Sequence, residues 1–282
     1  MLVTVGALAA RILSNPAANM LQKKLSETNS AILINLYSYL FLSLFCIYPA
    51  LNNNWYYGSD YWCYAALAGI LCTLGSVCLI KALQCGEMSL LGPINSYKCI
   101  VGLFLGFVIL GEVPDLAGIA GVIFIIWGSW YIFDTTKEGF SLALFKRKDI
   151  ILRFCALFFT GCEAVVLKKI ILMSSPEESF ILWCFLGFIF TIVLMLIYRV
   201  KFKIFTKRNL GGSFLIALFL GVMQLSTNIV FENLNVGLSL ALFQLSSIAA
   251  VLFGYKVFHE RNILKKLLGS LIMIIGSCFI LL

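Results

Sequence analysis

Three ionisable side chains, Arg11, Lys98 and Glu163, stand inside long apolar runs. A charge near the centre of a bilayer costs about 2.5 to 3.5 kcal/mol even on the lenient insertion scale, so intramembrane charges mark solute paths, proton relays or helix-locking pairs. Two readings are open. Glu163 can neutralise Arg11 or Lys98 and lock two helices together, which still leaves one cation over. Alternatively, the surplus positive charge receives an anionic or carboxylate-bearing solute through charge-assisted hydrogen bonds. Glu163 is then the carboxylate placed to gain and lose a proton during a cycle.

Uncharged polar groups accompany these three. Asn15 and Asn19 bracket Pro16, Asn95 and Ser96 follow Pro93, Gln224 and Asn228 share a face at i and i+4, and Gln244 lies close to Ser247. Singly, each could be an interhelical hydrogen bond, worth about 0.6 kcal/mol on average. As a set around one axis they describe a wetted cavity. Pro16 and Pro93 each remove a backbone donor inside a helix, and a kink that can straighten is a candidate gate. The ten cysteines form no CxxC pair and the one histidine, His259, has no ligand partners, so no metal or cofactor is expected and the cysteines read as small packing residues.

The elements that must position these groups follow from composition. The chain has 282 residues, 61% apolar and 12% charged, with a mean hydropathy of +1.00. A soluble domain carries about 25% charged residues, so the chain is an integral membrane protein. Apolar runs fall at 2–21, 31–50, 62–83, 88–110 and 116–133, then at 150–172, 180–198, 214–231, 237–258 and 263–282. A spanning helix takes about 20 residues, so these are ten spans with no room for a soluble domain. The runs are continuous rather than alternating, which excludes a barrel. Arg11 interrupts the first run, which argues against a cleavable signal peptide.

Residues 134–149 form a polar linker between two five-span halves, 1–133 and 150–282. Sliding the chain by 148 residues lays Met88–Ile132 over Val236–Ile280 without a gap, with ten of 45 positions identical. Gly106, Glu112, Gly121, Gly128 and Ser129 then fall on Gly254, Glu260, Gly269, Gly276 and Ser277. Lys23-Lys24 after the first span is echoed by Lys168-Lys169 after the sixth. An odd number of spans per half inverts the second, the logic of transporters whose site lies between the repeats. The expected fold is therefore all-α, ten transmembrane helices in two inverted five-helix repeats. Loops after odd spans hold sixteen Lys and Arg, with Arg153 counted among them, and loops after even spans hold two. By the positive-inside rule both termini are non-cytoplasmic, and the net charge of +8 is topology rather than a nucleic-acid surface.

Several residues have plainer roles. Glu112 and Glu260 precede the fifth and tenth spans and suit a helix amino terminus. Gly102 with Gly106, Gly121 with Gly128 and Gly269 with Gly276 suit close helix contacts. Lys81 can snorkel to the interface, and Trp55, Tyr56, Tyr57, Tyr61 and Trp62 read as an aromatic belt.

The stretch KALQCGEMSLLGPINSYKCIVGLFLGFVILGE, followed by LAGIAGVIFIIWGSW, resembles the EamA-type permeases of the drug/metabolite transporter superfamily. The repeated turns ILGEVPDLAGIAG and VFHERNILKKLLGS carry the same resemblance into the second half. It implies alternating access around a cavity formed by the first, third, fourth, sixth, eighth and ninth helices, with the fifth and tenth at the ends. Many such permeases keep their termini in the cytoplasm, and the charges here depart from that. The expectation is a secondary transporter, not an enzyme, moving a small polar metabolite such as an amino acid or organic anion across the cell membrane. Its partners are that substrate, the lipid bilayer and, for coupling, a proton; nucleic acid is excluded and a homodimer is left open. A lipid-modifying enzyme or a non-transporting scaffold is the alternative.

Overall fold

A computed structural model of the protein describes residues 2–105 and 115–280, and all regular elements within them are helical. In chain order these are α1 (Leu2–Ser26), α2 (Ala31–Leu51), α3 (Ser59–Cys85), α4 (Met88–Leu91), a 3-10 turn (Pro93–Ser96), α5 (Tyr97–Leu105) and α6 (Leu116–Phe133). A linker with one 3-10 turn (Leu144–Lys146) leads to α7 (Lys148–Met173), α8 (Pro176–Ile197), α9 (Lys207–Asn233), α10 (Val236–Phe243), α11 (Ser246–Phe258) and α12 (Ile263–Phe279). Among the described residues seven stretches are long and apolar enough to cross a membrane: α2, α3, α6, α7, α8, α9 and α10–α11 taken together. Ten were expected. Arg11, Lys23 and Lys24 lie within α1, α12 has 17 residues, and the fourth run is broken at Pro93 and passes out of the described residues. Gly106 and Glu112 lie outside them.

Local chemistry sets the helix starts. Asp115, Ser175, Thr206 and Asn235 each stand one residue before a helix and accept an amide N–H from its first turn, at 2.7, 3.1, 3.4 and 2.7 Å. Pro176 opens α8, where its missing N–H costs nothing. Two helices are broken. Pro93 has no donor and cannot continue α4, so the Asn95 amide turns to Gly92 at 3.1 Å and the chain tightens into a 3-10 turn. The repeat-related break, at Gln244 and Leu245, is made without proline: Gln244 bonds Ala241 at 3.0 Å and Ser247 bonds Gln244 at 2.8 Å. Pro16, by contrast, lies inside an uninterrupted α1.

The principal pairings join the two halves: α1 with α9, α3 with α7, α2 with α8, α4 with α11 and α6 with α12. Under the internal repeat the first two pairs exchange, α2–α8 and α6–α12 map onto themselves, and α4–α11 maps onto the contact of α10 with α5, as a two-fold relation requires. Apolar lipid offers no solvophobic drive between helices, so close backbone approach must hold them. At α6–α12 it is extreme: a Cβ on Gly128 would meet the Gly269 carbonyl at 2.6 Å, and one on Gly121 the Gly276 carbonyl at 2.6 Å. That register makes the two helices antiparallel. Their outer faces are apolar, with Ile119, Ile123 and Ile126 exposed on α6 and Leu264, Leu268, Leu271 and Ile275 on α12. The expected aromatic belt is incomplete, because Tyr61 is buried and its hydroxyl donates to Ser174 at 3.3 Å. Lys81 lies 5.1 Å from the centre of the Tyr198 ring, at the end of α8, as a snorkelling side chain would.

Candidate functional site

The two broken helices meet beside a cavity of about 140 Å³ enclosed by α1, α3, the α4–α5 break, α7, α8, α9 and the α10–α11 break. Helix periodicity puts Arg11, Asn15, Asn19 and Gln22 of α1 on its wall, at intervals of four, four and three residues. Lys98, Asn95, Glu163, Gln224 and Ser247 line it from the other elements. Asn228 and Gln244 do not; they stand behind the wall, fully buried, and hold it. Asn228 accepts from Gln224 at 3.0 Å and donates to the Pro176 carbonyl at 2.9 Å. Gln244 accepts from Asn95 at 3.1 Å and donates to the Leu240 carbonyl at 2.8 Å. Gln244 thereby ties the two repeat-related breaks together.

The break at Pro93 also recruits a charge that the sequence hid. Arg153, counted above as a loop cation, lies in the second turn of α7 and is buried against the cavity. Its Nε donates to the Leu91 carbonyl at 2.8 Å, the acceptor that Asn95 would have used in a regular helix, and its Nη2 donates to Asn95 Oδ1 at 3.0 Å. The linker-proximal position of Arg153, next to Lys148 and Arg147, made it look like part of the loop charge. Only the carbonyl freed by the helix break explains its burial.

Among the described residues three cations, Arg11, Lys98 and Arg153, therefore face a cavity that Glu163 alone lines with a carboxylate. The helix-locking pair is not formed. Among the described residues Glu163 makes no ion pair with Arg11 or Lys98; it accepts from the Trp183 indole at 3.0 Å. Arg11 has its guanidinium 4.6 Å from the centre of the Phe243 ring, and its Nε and Nη1 are buried with no hydrogen-bond partner. Gln22 Oε1 and Ser247 Oγ on the same wall are also unpartnered. A buried donor left unsatisfied costs about 1–3 kcal/mol, more when charged. Donors and acceptors without partners around one cavity are what a polar solute or water would satisfy. Sequence reasoning also missed Gln22, Ser76, Thr160, Trp183 and Thr227 on the wall. For Gln22, Thr160 and Thr227 the helical spacing from Asn19, Glu163 and Gln224 was the available signal; Ser76 on α3 and Trp183 on α8 had none.

Glu260 proves to serve a helix other than its own. Its carboxylate accepts the amides of Met88 and Ser89, both at 2.8 Å, at the start of α4, and lies 3.4 Å from Lys23 Nζ. Lys23 also donates to the Gly86 carbonyl. Burial raises the Glu260 carboxyl, but the hydroxyl and amide of Ser89, the Lys23 charge and the Met88 amide outweigh it and hold the group below its ordinary range.

The EamA-like transporter family model matches residues 12–134 and again residues 147–282. No curated protein matches. Among solved structures 28 chains match. One, described only as the crystal structure of a protein, is similar over 99% of this chain and 94% of its own, with a TM-score of 0.67 at 11% identity, a likeness of fold.

Proposed function

Since the chain belongs to the EamA-like transporter family, we propose that it is a secondary transporter of a small anionic or zwitterionic metabolite, working by alternating access across ten membrane crossings. The carrying observation is the charge of the cavity: among the described residues three cations and one carboxylate enclose it, and two guanidinium nitrogens of Arg11 are buried there without partners. A carboxylate or similar anion fits the cationic side, and a protonated amine on the same solute fits Glu163. The unpaired state of Glu163 leaves it free to exchange a proton as well as to meet an amine. The lysine and arginine distribution supports termini outside the cytoplasm, and exchange or proton coupling would drive the cycle.

An enzymatic reading finds less support, since among the described residues the lining offers one carboxylate, no second acid or base of like kind and no histidine. The test is uptake into proteoliposomes of labelled amino acids and organic acids, with and without a pH gradient. Saturable uptake of an anionic or zwitterionic solute is expected, accelerated by the gradient if a proton is coupled and by internal solute if exchange operates. Uptake of none of these solutes, with a uniformly folded protein, would overturn the reading.

A further inference from the structure

A second cavity, of about 710 Å³, lies at the end of the bundle where Lys23, the linker and the α11–α12 turn converge. Adjacent residues face the two spaces: Gln22 lines the inner cavity and Lys23 the outer one, and Gly92 lines the inner and Leu90 the outer. The partition between them is thus the first turn of α4 and the end of α1. Among the described residues, contacts from the α11–α12 turn and from α12 hold that partition shut. Glu260 grips the Met88 and Ser89 amides and lies 3.4 Å from Lys23, and buried Lys266 of α12 bonds Ser89 Oγ at 2.8 Å and pairs with Glu87. Close approach completes the seal, for a Cβ on Gly254 would meet that of Ser89 at 2.9 Å and one on Gly92 that of Ala250 at 2.7 Å.

We propose that the Glu260–Lys23–α4 contact is a latch closing the route between the outer and inner cavities, and that it opens when the transporter changes face. This rests on the transport reading above. The internal repeat extends it. Lys168 donates to the Leu234 carbonyl at 3.2 Å, and Leu234 is the repeat equivalent of Gly86, the carbonyl that Lys23 holds. Asp149, at the start of α7, packs on Gly86, and Lys168 therefore repeats one half of the latch at the opposite end of α7, nineteen residues on, a rise of about 28 Å at 1.5 Å per residue.

The test places a reporter thiol one turn inside the partition, Asn19→Cys, on a helix without native cysteine. Alkylation by a membrane-impermeant maleimide is read by peptide mass spectrometry in proteoliposomes, separately from each face. Adding Glu260→Gln is expected to raise labelling from the Lys23 face at least tenfold and lower it from the other. Unchanged labelling in Glu260→Gln, with thermal unfolding intact, overturns the latch. If that variant does not fold, Lys23→Met supplies the same readout, and unchanged labelling there overturns it equally. Shifted labelling in a protein that transports no solute would sink the transport reading while leaving the latch in place.

Discussion

At the scale of single residues, the cavity is defined by polar atoms whose partners are absent or borrowed. Arg11 keeps two N–H groups unpartnered over the Phe243 ring, whereas Arg153 uses Nε and Nη2 on Leu91 and Asn95. The two arginines should therefore respond differently to substitution. Hydrogen bonds to charged groups contribute about 1.5–3 kcal/mol, roughly ten- to hundredfold in affinity. Arg11→Ala and Lys98→Ala are expected to weaken binding of a carboxylate solute by about that factor with little loss of stability; calorimetric titration showing unchanged affinity in both would refute an anionic solute. Glu260 gives a pH signature. Its folded pKa lies below the unfolded value, so its contribution is present above about pH 4.3, the ordinary glutamate value, and is lost as pH falls through the folded pKa. The melting temperature of the parent protein should fall more steeply on acidification below pH 4.3 than that of Glu260→Gln, and parallel curves would contradict the assignment.

Among the elements, the breaks in the fourth and ninth runs and the glycine crossing of α6 with α12 do different work. Pro93 explains the first break, and its consequence, a free Leu91 carbonyl, is what draws Arg153 inward. The second break, at Gln244, has no such residue to announce it. At the crossing, reciprocal contacts of Gly121 with Gly276 and Gly128 with Gly269 leave no volume for a side chain. Gly128→Leu would put its Cβ 2.6 Å from a backbone carbonyl that cannot swing aside, so the helices must separate. A loss of several degrees in melting temperature in detergent is expected, with solute affinity in the surviving folded fraction unchanged, because neither α6 nor α12 lines the inner cavity. A full-strength melting transition would show that the crossing is looser than its register implies.

For the whole molecule, the two-fold relation was legible in the sequence because glycines and a glutamate recur in register, and those cannot match by aliphatic chance. The cavity was legible in part: eight of the ten polar residues chosen for depth and spacing line it, Asn228 and Gln244 stand behind them, and Arg153 was missed because its burial depends on a carbonyl in another repeat. Depth can be read from a single run; contact across the bundle cannot. Topology keeps its charge-based expectation, that a reporter fused to the carboxyl terminus stays outside the cytoplasm; a cytoplasmic reporter signal would reverse it. The exchanged pairing of α1 with α9 and of α3 with α7 also governs assembly during synthesis. A ribosome releases α1 and α3 well before their partners exist, so Arg11 on α1 passes through a stage with lipid or an insertion factor where protein will later stand. A chain halted in the linker is an orphan half, whose α1 and α3 faces meet neither α9 nor α7 and whose cavity lacks the walls that α7, α8 and α9 supply.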